Sequence, residues 1–315
     1  MKYIANMYNS IHSKFIRTPL LGILEDGINA CRGAGCVMEA YPLRDYIMQS
    51  LFLKMTGAQE QKLKCLCWEM ATNDYTYRYD FLSAAKRDYG EFSKYEQKNN
   101  VYKQLIEEIK KYNSEFDIEA MQWIKNVDLD TKNGLFDQEV RTKSKLIIEK
   151  KEQKGEELTE EIKNNIRQNI ERKYNLTKNI IINNAVKKKF ASVVKDNMIA
   201  FMESSILSIG DLRNYSLWKE NWHLISAESF ALKESLLDKK LHSIYTNDVI
   251  KHRHKCAHNL TSYQQNLPTF DTMGENDYIY YNYFFRFAIL ILIDEIFMRL
   301  YNEYTEQIEY SPFPI

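Results

Sequence analysis

The sequence predicts an all-α protein, and three observations carry that prediction. Only 10 glycines and 5 prolines occur among 315 residues, too few for the many turns of a β architecture. Leu, Lys, Glu, Met and Gln, all good helix formers, are plentiful. Apolar residues recur at i, i+3, i+4 spacing in several stretches, and one run, Phe287 to Ile293, is apolar all round, as in a helix buried on every side. The expected architecture is a helical bundle with a charged helical insertion. N-terminal helices over residues 1–90 contribute to the bundle, residues 91–185 form the insertion, and residues 186–315 supply the C-terminal helices.

Composition bounds the function. With 44% apolar and 13% aromatic residues the chain can bury a sizeable core. Forty-three basic residues offset 43 acidic ones, so any attraction to nucleic acid must be local. The five cysteines are odd in number and lack the spacing of a disulfide framework, which points to a reducing cytoplasm. Met1 to Thr18 has no continuous apolar run and reads as no secretory signal. Phe287 to Ile293, bounded by Arg286 and by Asp294 and Glu295, falls far short of the roughly 20 residues needed to span a membrane. The expected location is cytoplasmic.

In chain order, Gly33-Ala34-Gly35 reads as a turn between helices. It lacks the third glycine of a dinucleotide fingerprint and the Gly-Lys-Ser/Thr of a phosphate loop. Tyr41-Pro42 opens a long helix, with proline suited to the first turn. Ile47, Leu51, Met55, Leu63, Leu66, Cys67 and Met70 mark its buried side. Cys65 and Cys67 are separated by one residue rather than the two to four of a zinc half-site, so they read as buried thiols. Tyr75, Tyr77 and Tyr79 alternate around Arg78. A helix-to-helix connection packed by tyrosine rings is the plain reading, and stacking on nucleotide bases the alternative.

From about Glu91 to Asn184 charged and amide residues dominate. Leu158, Ile162, Ile166 and Ile170 recur every fourth position, a narrow stripe that drifts around a helix of 3.6 residues per turn. This describes a protruding helical insertion. Lys187, Lys188 and Lys189 come next at the start of a more apolar helix, Phe190 to Ile209; a solvated helix end is the plain reading and contact with phosphate the alternative. Two further helices are expected, from Ala227 to Ile250, with Phe230, Leu232, Leu236, Leu237, Leu241, Ile244 and Tyr245 on its apolar side, and from about Tyr278 to Tyr304.

Between them lies the stretch that speaks about chemistry, Lys251-His252-Arg253-His254-Lys255-Cys256-Ala257-His258-Asn259, which holds three of the six histidines. Four residues separate Arg253 from His258. A guanidinium offers a planar fork of donors to phosphate oxygens, and an imidazole can move a proton near neutrality, so the pair suits phosphodiester chemistry. Two rival readings stand beside it. His252, His254, Cys256 and His258 alternate, so on a strand they would share one side as metal ligands, whereas on a helix His254 and His258 would stack one turn apart. Alternatively the basic cluster closes a helix by offsetting its dipole.

Arg253-His254-Lys255-Cys256-Ala257-His258 resembles the R-x4-6-H signature of HEPN domains, in which a polar residue commonly comes after the arginine, as His254 does here. The resemblance covers the C-terminal third by motif and the rest by fold class. It implies an HEPN-like helical bundle acting as a metal-independent endoribonuclease without a cofactor, usually as a homodimer with a composite active site. By that resemblance Arg253 holds the scissile phosphate and His258 handles the proton of the attacking 2′-hydroxyl or the leaving 5′-oxygen. His254 orients both. The products are a 2′,3′-cyclic phosphate and a 5′-hydroxyl. Such RNA-cleaving proteins serve as toxins, with antitoxin partners, and as antiviral-defence effectors. Some members keep the fold and only bind RNA or a partner. The chain departs from the family in its length and in the long connection from Leu260 to Asp277. Tyr283, Phe284, Phe285 and Phe287 offer apolar surface for dimerisation beside the motif.

Overall fold

The structure, a computed structural model, describes residues 10–33, 41–88, 92–121, 123–124, 127–203, 224–258 and 283–310. Every regular element among the described residues is helical, and the fold is all-α. The elements are α1 (Ile11–Arg17), α2 (Leu21–Gly33), α3 (Tyr41–Asn73), α4 (Tyr75–Asp88), α5 (Tyr95–Tyr112), α6 (Leu129–Glu152), α7 (Glu160–Asn175) and α8 (Lys178–Glu203). After a 3-10 turn at Ala227–Ser229 come α9 (Lys239–Ile244), a π-helical turn (Tyr245–Ile250), α10 (Lys251–Ala257) and α11 (Tyr283–Tyr310). Among the described residues no helix is long and apolar enough to cross a membrane.

The chain divides into two compact units, Met1–Glu115 with Lys195–Ile315, and Phe116–Val194. The boundary expected at 91 therefore falls at 116. The cause is α5, which carries a buried face of Tyr95, Lys98, Val101, Tyr102, Leu105, Ile106 and Ile109 and packs against α3 and α11 of the first unit.

In the first unit α11 is the central post. Phe287 through Ile293 are all buried, as an apolar run without a polar face requires. Each Phe, Ile or Leu side chain in the run contributes about 1.5–3 kcal/mol when fully removed from water. The long α3 lies alongside with Leu51, Phe52, Met55, Leu63, Leu66, Cys67 and Met70 buried, so the predicted stripe is present with Ile47 only half-buried. Gly27 permits α2 to approach α3, because a Cβ there would sit 2.5 Å from a Leu51 methyl. Arg17 of α1 reaches α11 through Asn302 Oδ1 at 2.9 Å and Thr305 Oγ1 at 3.0 Å. Cys65 and Cys67 are buried free thiols, and burial pushes Cys67 up to about 12. Asp74 breaks α3 from α4 and caps the latter by accepting from the Tyr77 backbone N–H. Tyr77 is buried there, but Tyr75 and Tyr79 are 78% and 66% exposed, so only one of the three rings packs the connection as expected.

Two expectations are corrected. The helix predicted over Ala227 to Ile250 begins only at Lys239. Its first half is a tight loop closed by Ala231 N–H to Leu236 O (2.7 Å) and Asp238 N–H to Ser229 O (2.9 Å), with Ala231 at φ 47°. Asp238 starts the helix as an N-cap, accepting from Leu241 N–H at 2.7 Å. The apolar spacing was real but not helical: Phe230, Leu236 and Leu237 are buried by the loop, and α5 satisfies its backbone. Asn99 Oδ1 accepts from Leu236 N–H, while the Tyr95 and Tyr102 hydroxyls donate to Leu237 O and Leu232 O. The apolar surface invoked for dimerisation is also reduced, because Phe285 and Phe287 are buried inside their own bundle. The side chains of Tyr283 and Phe284, and the connection from Leu260 to Asp277, lie outside the described residues.

The second unit holds α6 and α7 as a hairpin turned by Gly155 at φ 81°. Asp128 and Thr159 cap the two helices. No residue of α7 is buried: Ile162 is 39% exposed, and Ile166 and Ile170 are only partly covered, which fits a solvated insertion. Lys187 departs from the solvated-end reading: it is buried with its ammonium 5.9 Å over the Trp123 ring, while Lys188 pairs with Glu139 at 3.0 Å.

Candidate functional site

The motif lies on α10, which continues α9 through the π-helical turn Tyr245–Ile250. A π-turn inserts an extra residue into a helix, resets the register of the residues beyond it and recurs at functional sites. Here Tyr245 and Val249 of that turn are buried, which fixes the rotation at which α10 presents its side chains. The helix ends at His258, whose backbone N–H donates to His254 O at 3.1 Å.

On a helix, residues four apart share a face and residues five apart are turned by roughly 140°. His254 and His258 accordingly lie with parallel rings, 8° between planes and 6.1 Å between centroids, and His258 is exposed. His252 and Cys256 form a second row, with Cys256 Sγ 3.4 Å from His252 Nε2. Arg253 belongs to neither row. It turns toward α3, where its Nη2 lies 2.9 Å from Glu60 Oε1, with side-chain exposures of 23% and 12%. The structure thus brings His254 and His258 together and joins Arg253 to a residue outside the motif. It does not put Arg253 and His258 on one face.

The two rows differ in chemistry. His252 packs against the buried Phe52 ring, centroids 5.4 Å apart, and burial, with the nearby cations Arg286 and Lys255, holds it down to about 3. It is a neutral imidazole at physiological pH and no proton shuttle. The four alternating candidate ligands are split between two helix rows, and among the described residues no three His, Cys, Asp or Glu are grouped to hold a metal ion.

Beneath Arg253 lies a buried set of charges. Lys98 of α5 is 1% exposed, with its ammonium 5.8 Å over the Tyr245 ring. Burial lowers it to about 7, against the pull of Glu60 and Asp294 and with the push of Arg253. Lys62 of α3 bonds Asp294 of α11 at 2.6 and 2.9 Å, and Asp294 also accepts from the Leu20 backbone N–H at 2.9 Å. Burial nonetheless raises the Asp294 carboxyl above its ordinary value. Burial raises the Tyr245 phenol too, helped by Glu60.

Glu60, Lys98, Lys62, Asp294 and Phe52 do not stand out from the sequence alone. A signal existed for the charged ones. Lys98 stands three residues after Tyr95 and four before Tyr102, in the middle of an apolar face, and Asp294 comes directly after the all-round apolar run. A charge at a core register is costly and marks a partnered or functional group. Comparison with protein-family models, curated proteins and solved structures found no match for this chain.

Proposed function

We propose that this chain is a metal-independent HEPN-type endoribonuclease that cleaves RNA by attack of the 2′-hydroxyl on the adjacent phosphate. The observation that carries the reading is the parallel His254–His258 pair at the end of the short helix that also bears Arg253. Phosphodiester cleavage needs a base for the 2′-hydroxyl, an acid for the departing 5′-oxygen and a cation for the phosphate. In this reading His258, being exposed, moves the proton. His254, one turn behind it, orients it, and Arg253 meets the phosphate after leaving Glu60. Balanced, the step transfers the 2′-proton to the base, forms the 2′-O–P bond and breaks the P–O5′ bond with proton return. It leaves a 2′,3′-cyclic phosphate and a 5′-hydroxyl. Two copies of the chain, each bringing one motif, supply both acid and base, so the active species is proposed to be a homodimer. The buried free thiols fit the proposed cytoplasmic setting, where the resemblance suggests a toxin or antiviral-defence effector.

A second reading has its own observation. The Arg253–Glu60 ion pair already occupies the guanidinium, as in a protein of this shape that binds RNA or a protein partner without cutting. Incubating the purified chain with end-labelled RNA in excess chelator separates the two. Fragments ending in a cyclic phosphate support the nuclease. Retarded but intact RNA supports the binder, and metal-dependent cutting contradicts the proposal.

A further inference from the structure

Lys98 is a poor structural residue for the place it occupies. A buried ammonium normally has a carboxylate in direct contact, because taking a charge out of water costs more than distant attraction returns. The Lys98 ammonium makes no hydrogen bond or ion pair among the described residues, and its nearest described partner is the Tyr245 ring 5.8 Å away. The two carboxylates whose charges reach it, Glu60 and Asp294, are in contact with Arg253 and Lys62 instead. The set holds three cations, Lys62, Lys98 and Arg253, for two anions. It balances as two pairs when Lys98 is neutral and carries one surplus positive charge when Lys98 is protonated. Asp294 is held by Lys62 and by the Leu20 N–H, all three buried, whereas Glu60 has Arg253, which is partly exposed on a short helix. Of the two pairs, the Glu60–Arg253 pair is the one free to give way.

We propose that Lys98 is a proton-operated latch on Arg253. The two cations compete for the carboxylate of Glu60, so the charged ammonium releases the guanidinium toward an incoming phosphate group and the neutral amine leaves it clamped.

The groups around the latch are few. Glu60 faces it from α3, Asp294 from α11 with Lys62 bonded to it, Arg253 from α10 and the un-ionised Tyr245 phenol from the π-turn. Lys251, His252, His254, Lys255 and Cys256 are the other titratable neighbours on the motif helix. Burial brings Lys98 to about 7, so the switch falls within the physiological range. Linkage makes the device reciprocal: an anion bound at Arg253 favours the protonated Lys98. The inference rests on the nuclease reading only in taking phosphate as the partner of Arg253, and its test contains no RNA, so the two can fail separately.

The test is the rate at which phenylglyoxal modifies Arg253 relative to the exposed Arg141, read by peptide mass spectrometry at about pH 6 and about pH 8.5. The ratio cancels the reagent's own pH dependence. In the wild-type chain the Arg253:Arg141 ratio should fall by roughly fivefold as pH rises, the low end of ordinary site-to-site coupling. In Lys98→Met it should be low at both pH values. In Glu60→Gln, where there is no carboxylate to compete for, it should be high at both. A flat ratio in the wild type, or an unchanged pH dependence in either variant, overturns the latch.

Discussion

Arg253 Nη2 lies 2.9 Å from Glu60 Oε1, and this ion pair ties the motif helix α10 to the long helix α3. Both side chains are mostly shielded, so their coupling should exceed that of a surface pair. A double-mutant cycle of Glu60→Gln and Arg253→Met, measured by urea unfolding, should give a coupling of about 1–3 kcal/mol. A value near zero would mean that α10 is held by Phe52 and Tyr245 alone.

Stability should depend on pH through Lys98. Its value in the folded chain, about 7, lies below the ordinary 10.5, so between the two the unfolded chain binds the proton and the folded chain does not. The corresponding stability is present above 10.5 and is lost as pH falls through 7. Lys98→Met removes the penalty and should stabilise the chain most below about pH 7, with the gain shrinking as pH rises toward the ordinary lysine value. Denaturation midpoints across that range check the sign, and a gain that grew with pH would contradict it.

Lys62 and Asp294 form the most deeply buried ion pair described, with side chains 7% and 3% exposed. Replacing one partner strands a charge in the core. Lys62→Met or Asp294→Asn alone should cost roughly 3–5 kcal/mol, whereas Lys62→Met combined with Asp294→Leu should recover most of that loss. Thermal or urea unfolding of the three variants measures it, and additive losses in the double variant would mean that the pair is not acting as a unit.

Much of the fold was legible because local periodicity is a short-range signal. The all-round apolar run Phe287 to Ile293 became the buried centre of α11, and Leu51, Met55, Leu63 and Met70 became the inner side of α3. Periodicity failed at Phe230 to Leu237, where a loop buries the same residues because Asp238 caps a later helix start and α5 side chains bond the loop backbone. It also missed that α5 belongs to the first unit, since Lys98 and the surrounding charged residues diluted an otherwise apolar face. At the motif the helical stacking of His254 over His258 was foreseeable from their spacing. The partnership of Arg253 with Glu60 was not, because it joins residues far apart in the chain and depends on the rotation set by the π-turn.

The most direct measurement of the central claim is cleavage of labelled RNA, in chelator, by the wild-type chain and by Arg253→Ala, His258→Ala and Cys256→Ser, each first shown by circular dichroism to be folded. Losing a phosphate-binding cation or an acid/base group should lower the rate by roughly a hundredfold to ten-thousandfold in the first two variants, while the thiol variant should keep near wild-type activity. Cleavage unaffected by both Arg253→Ala and His258→Ala, or abolished by chelator in the wild type, would contradict the account.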